Sequence, residues 1–167
     1  MKYLVLGDIH NEYKMFMDAV LYAREHNLTI ISVGDVVDYG KHAKSTVHLA
    51  RSIAVVDSAI FIEGNHDNKI ARYLKGNDVK IGNGMRATIE DLESDETMKK
   101  HFEFIHANMK SHYNVGDTYI THGALAKEFW QGDVTSSVVK RAFLFGEVDS
   151  SLPMMEYNGN MYPHRVY

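Results

Sequence analysis

Four short apolar runs punctuate the chain, and each leads into a residue type that binds metal ions. They are Tyr3-Leu4-Val5-Leu6 before Gly7-Asp8-Ile9-His10, Thr29 to Val33 before Gly34-Asp35, Ala59 to Ile62 before Gly64-Asn65-His66-Asp67, and Tyr119-Ile120-Thr121 before His122. Runs this brief read as buried strands of an α/β sheet, and ligands gather where the carboxyl ends of such strands meet loops. Between the first two runs, Tyr13, Phe16, Met17, Val20 and Leu21 recur at helical spacing, and Val47, Ala50, Ile53 and Ala54 repeat the plan before Asp57-Ser58. The pattern predicts two strand-helix-strand units and three parallel strands. Asp8, Asp35 and Asn65 recur at about the 30-residue length of one such unit.

Beyond Asp67 the pattern loosens. Ile70, Tyr73 and Leu74 predict one short helix, Gly76, Gly82 and Gly84 predict loops, and the acidic stretch from Glu90 to Glu96 predicts the solvated start of a helix running to about Met109. Ser136 to Phe145 again has helical spacing, whereas Leu152 to Tyr167 has no clear period.

Composition narrows the chemistry. The length of 167 residues, with 45% hydrophobic and 24% charged residues, predicts one folded domain across 1–167. A net charge of −4 argues against a broad nucleic-acid groove, and the absence of cysteine excludes disulfides and thiolate metal sites. Any metal must then sit on oxygen and imidazole. The apolar start at Tyr3 to Leu6 is too short for a signal segment or a membrane span, so a cytoplasmic location is the expectation.

The candidate ligands suit a pair of divalent ions, which can activate a water and clamp both oxygens of a phosphoester if one carboxylate bridges them. Asp35 is the natural bridge, with Asp8 and His10 on one ion and Asn65 and His122 on the other. His66 emerges beside them, where an imidazolium can protonate a leaving oxygen, and Asp38 is the partner expected to orient it. Donors of this kind accept Mn, Fe, Zn, Ni or Co, with Mn²⁺ the expected ion. His26, His42, His48, His101, His106 and His112 are given no role and are expected to face solvent. Phe129 and Trp130 are read as packing aromatics rather than base-stacking ones.

In this order, Gly7-Asp8-Ile9-His10, Gly34-Asp35-Val36-Val37-Asp38, Gly64-Asn65-His66-Asp67 and Thr121-His122-Gly123 resemble the motifs of the calcineurin-like metallophosphoesterase superfamily. The resemblance implies an α/β sandwich of two sheets flanked by helices. It also implies metal ligation by Asp8, His10, Asp35, Asn65 and His122 and an acid dyad of His66 and Asp38. The implied activity is hydrolysis of phosphomonoesters or phosphodiesters. The stretch from Lys69 to Thr88 is similar to the phosphatase module of polynucleotide kinase-phosphatases, which points to phosphates or cyclic phosphates at nucleic-acid ends. Phosphoserine or phosphothreonine proteins and dinucleotide polyphosphates are alternative substrates, and an interaction scaffold is the alternative of another class.

Two departures stand out. Tyr39 replaces an Arg that many phosphomonoesterases of this kind carry, which removes a bidentate phosphate clamp and favours diesters unless an Arg such as Arg72 substitutes. The sequence also has no Gly-His dipeptide to match the family's last metal motif, and His164 is the only histidine after His122. The expectation is a chain lacking the C-terminal part of the family fold.

Overall fold

The computed structural model describes residues 1–123, 137–145, 155–157 and 160–162. Phe129, Trp130 and His164 lie outside these residues. The chain divides into two compact units, Met1–Lys110 and Ser111–Tyr167.

In the first unit, β1 (Tyr3–Leu6), β2 (Thr29–Ser32) and β3 (Ile60–Phe61) form a parallel sheet in that order. Tyr3 lies opposite Thr29 and Leu6 opposite Ser32, while β3 begins later, with Ile60 opposite Ile31. This register brings the three carboxyl ends to one edge, and it is where all three glycine-led loops emerge. The crossovers are α1 (Tyr13–Glu25) and α2 (Ala43–Val56). α1 buries Phe16 and Val20 of its predicted stripe together with Ala23, while Leu21 of that stripe is exposed, and α2 buries Val47, Ala50 and Ile53 as its spacing predicts. The buried side chains join Ile30, Phe61, Ile70 and Phe102 in one core. Burying a side chain of this size contributes roughly 1.5–3 kcal/mol, so the crossover stripes and the strands hold the loops by shared apolar packing.

The rest of this unit is helical. α3 (Asn65–Leu74) follows Gly64, and α4 (Asn83–Glu93) and α5 (Glu96–Asn108) replace the single helix expected before Met109. Met85, Thr88, Ile89 and Leu92 make a regular buried stripe on α4, and Gly84 sits inside that helix rather than in a loop. Asp95 caps α5, accepting from the amides of Thr97 and Met98 at 3.0 and 3.3 Å. Asp91 and Glu93 instead end α4, so the acidic run spans a helix junction and is not one helix start.

In the second unit, β4 (His112–Val115) and β5 (Thr118–Thr121) form an antiparallel hairpin. The fourth apolar run therefore belongs to a hairpin of its own. Its cause is the two-residue turn at Gly116-Asp117, where Gly116 takes the left-handed φ of 59° that such turns require. The unit also contains α6 (Ser137–Phe145), as its spacing predicts, and a short hairpin of β6 (Met155–Tyr157) and β7 (Asn160–Tyr162) in the stretch without a period. Among the described residues, no helix is long and apolar enough to cross a membrane.

Candidate functional site

The first two of the three loops at the sheet edge are stitched to each other by backbone. The amides of Ile9 and His10 both donate to the carbonyl of Asp35, at 3.0 and 2.9 Å, and the amide of Gly40 returns to the carbonyl of His10 at 3.0 Å. Gly34 and Gly64 let the second and third loops meet. A side chain on Gly34, at φ 104°, would place its Cβ 2.6 Å from the amide nitrogen of Gly64, inside any allowed contact.

The meeting loops bring Asp8, His10 and Asp35 together, with one ligand atom from each lying within 4.8 Å of the others. Asp35 is buried, His10 half-buried and Asp8 exposed. The Nδ1 of His10 lies 3.2 Å from the Val37 carbonyl, which can only accept, so this nitrogen carries the proton. Its Nε2 is left bare, 3.8 Å from both Asp8 Oδ2 and Asp35 Oδ2. A bare imidazole nitrogen between two carboxylate oxygens is a donor set that suits a hard-to-borderline divalent cation.

His66 stands on the other side of Asp35. Its backbone amide donates to Asp35 Oδ1 at 2.9 Å, turning Oδ2 toward the histidine rings. Its Nδ1 is 2.7 Å from Asp38 Oδ2, and its Nε2 is 3.9 Å from Asp35 Oδ2. Asp38 is buried and His66 half-buried, so this is a shielded, charge-capable contact. Asn65 opens α3 beside His66 and is half-buried. His122 follows β5 in the second unit, also half-buried.

The backbone here is held under strain. Among the described residues, five of the seven non-glycine positions with positive φ are His10, Asn11, Asp35, Asp38 and Tyr39. Such conformations cost of order 1–3 kcal/mol each and persist where surrounding structure imposes them, most often at functional sites.

Asp67 is the residue whose part the sequence reading missed. It is fully buried, and its carboxyl accepts from the amides of Val36 at 3.0 Å, Val37 at 3.4 Å and Gly64 at 3.2 Å. It therefore fixes the loop between Asp35 and Asp38 to the start of α3. Burial, and secondarily the Asp35 charge, pushes this carboxyl up to about 8 against the opposing pull of the three amides. Its legible signal was an acidic residue three positions past the glycine that caps a helix.

Three of the histidines expected to face solvent do not. His101, His106 and His112 are half-buried: His106 bonds Glu63 at 2.8 Å, and His112 stacks on Phe143 at 5.2 Å. Both use the ring for structure.

Residues 1–152 match the family described as calcineurin-like phosphoesterase. A relative from Geobacillus sp. (strain WCH70), named bis(5'-nucleosyl)-tetraphosphatase PrpE [asymmetrical], is 27% identical over 146 residues, covering 77% of this chain and 60% of that protein. One of the same name from Anoxybacillus flavithermus is 23% identical over 165 residues, covering 89% of this chain and 66% of the relative. A crystal structure of a metallophosphoesterase from Sphaerobacter thermophilus is similar in fold, with a TM-score of 0.52 at 23% identity, covering 74% of this chain and 47% of that one. The chain thus spans roughly half to two-thirds of the length of these proteins.

Proposed function

This chain belongs to the calcineurin-like phosphoesterase family, and from that premise we propose that it hydrolyses a phosphoester by direct attack of water, with no covalent enzyme intermediate. The observation that carries the reading is one buried carboxylate, that of Asp35, faced by the Nε2 atoms of two histidines whose Nδ1 atoms are each tied down. The oxygen and imidazole donors fit divalent cations. Asp8, His10 and Asp35 would hold one ion and Asp35 and Asn65 would share in a second, with Mn²⁺ the ion proposed. When bound, the pair supplies Lewis acidity that activates water and clamps the phosphoryl oxygens.

The chain's own groups supply the rest. The Val37 carbonyl keeps His10 in the tautomer that leaves Nε2 free to ligate. The His66 amide fixes the rotation of the Asp35 carboxylate. His66, charged and steadied by Asp38 through Nδ1, releases the proton on Nε2 to the departing oxygen. Asp67 acts through the backbone, keeping the loop of Asp35 to Asp38 against α3. Among the substrate classes open from the sequence, the relatives named bis(5'-nucleosyl)-tetraphosphatase support dinucleotide polyphosphates over nucleic-acid ends or phosphoproteins.

The test is hydrolysis of bis-p-nitrophenyl phosphate and p-nitrophenyl phosphate with Mn²⁺ by the native chain and by Asp35→Ala. The expected result is loss of both activity and Mn²⁺ uptake in the variant, with turnover reduced on the order of a thousandfold or more. Equal turnover by the two proteins would overturn the assignment.

A further inference from the structure

Tyr39 is fixed in place without being buried. Its side chain is 66% exposed, yet its ring packs edge-on to His10 with centroids 4.9 Å apart and tilted against His66 at 5.0 Å. Those two histidine rings are themselves 5.2 Å apart and nearly perpendicular, so the three rings form one cluster on the rim. Exposed aromatics on a soluble surface ordinarily lack this degree of support.

The backbone beneath the ring is equally determined. Asp38 and Tyr39 take consecutive left-handed φ values of 85° and 62°, which non-glycine residues adopt only when held there. Asp38 does the holding: its Oδ1 accepts from the Tyr39 amide at 2.7 Å while its Oδ2 takes His66 Nδ1 at 2.7 Å. One carboxylate thus sets both the proton-bearing histidine and the tyrosine beside it. α4 also comes so close at Gly84 that a Cβ there would lie 3.1 Å from Tyr39 Cδ1 and 3.3 Å from its Cα. The ring is thus held by its neighbours while remaining mostly exposed, and its hydroxyl has no hydrogen-bond partner among the described residues.

A preorganised, solvent-open ring next to the group that protonates the leaving oxygen is suited to a flat partner. A phenol ring cannot form the bidentate contact with a phosphate dianion that a guanidinium makes, but it offers a face on which aryl groups and nucleobases stack. We propose that Tyr39 is a specificity-determining residue whose ring stacks on a planar substituent of the phosphoester. The favoured substrates are then aryl and nucleoside esters over alkyl esters of equal charge. This rests on the phosphoesterase reading and deepens it.

The test is calorimetric titration of the Mn²⁺-loaded chain with phenylphosphonate and cyclohexylphosphonate, which share charge and approximate size and differ in planarity. The native protein should bind the phenyl compound about fivefold more tightly, Tyr39→Phe should keep that ratio, and Tyr39→Leu should bring it to about one with cyclohexylphosphonate affinity changed less than about twofold. Tyr39→Asn, a residue type at ease with left-handed φ, should repeat the Leu result and decides the matter if Leu disturbs the fold. A ratio near one in the native protein, a ratio unchanged in Leu and Asn, or a ratio lost in Phe would overturn the stacking role alone. Failure of the native protein to bind either phosphonate would overturn the phosphoesterase reading, and this proposal with it.

Discussion

His10 on the first loop and His66 at the start of α3 are the same residue type, facing the same oxygen of Asp35 at 3.8 and 3.9 Å. What separates them is the group behind each ring. His10 is anchored through Nδ1 by the Val37 carbonyl, a neutral acceptor that keeps a proton on Nδ1 and turns Nε2 toward the site. His66 is anchored by the buried Asp38 carboxylate, which also stabilises a positive ring. On the proposed reading, these adjacent residues of one loop would divide the two histidines into a ligand and an acid. Each histidine's role would then be set at its far nitrogen, by a part of the chain remote from its own motif.

Alanine at each histidine separates the two roles and carries the largest effects. His66→Ala should retain Mn²⁺ uptake while lowering kcat about 10²- to 10⁴-fold on an alkyl ester, and much less on a p-nitrophenyl ester whose leaving group needs no proton. His10→Ala should instead weaken Mn²⁺ uptake by about ten- to a hundredfold or more, with part of the lost turnover restored by raising the metal concentration. If His66→Ala also lost the metal, both histidines would be ligands and the division would fail.

A smaller effect sharpens the same division. Asp38→Asn keeps an acceptor for Nδ1 but removes the charge behind it, so kcat on an alkyl ester should fall roughly tenfold at unchanged Mn²⁺ uptake. The double variant with His66→Ala should be no slower than His66→Ala alone, because a residue that acts through a histidine has nothing to act on once it is gone. Additive losses would give Asp38 a separate role.

Much of this arrangement was legible in the residues. Each of the first three apolar runs ends in a glycine turn, and the helical stripes holding Phe16 and Val20 and holding Val47, Ala50 and Ile53 fall between them, so strand-helix-strand order and the shared edge follow from spacing. Asp38 was readable as the partner of His66 because it shares the Asp35 loop. What escaped was determined by contacts rather than by period. Val115-Gly116-Asp117-Thr118 is a hairpin turn that pairs the run Tyr119 to Thr121 with a strand, His112 to Val115, that has no apolar run of its own. Gly82 and Gly84 read as loop markers and so mask α4, although Met85, Thr88, Ile89 and Leu92 carry its stripe. The helix-capping contact of Asp67 with Gly64 was local, but its burial was not, since two of its three donors come from Val36 and Val37 on the Asp35 loop.

Asp67 gives the smallest and most diagnostic effect, because its three amide donors and its burial pull in opposite directions. Asp67→Asn puts an amino group where one oxygen accepts from Gly64, leaving a donor facing a donor, which should cost about 1–3 kcal/mol in the unfolding free energy of the metal-free chain at pH 5. The pH dependence then identifies the winner. With the folded carboxyl held at about 8 and the unfolded one near 3.8, the folded chain keeps a proton that the unfolded chain releases. Stability from this group is therefore present at low pH and falls as pH rises from about 4 to about 8. Asn does not titrate, so the gap between native chain and variant should narrow across that window in urea titrations. A gap that widens instead would mean the carboxylate is ionised in the fold, with the amides of Val36, Val37 and Gly64 outweighing burial and the charge of Asp35. Asp67 would then be an anionic brace rather than a neutral one, and His10 and His66 would face a more negative site than Asp8, Asp35 and Asp38 alone provide.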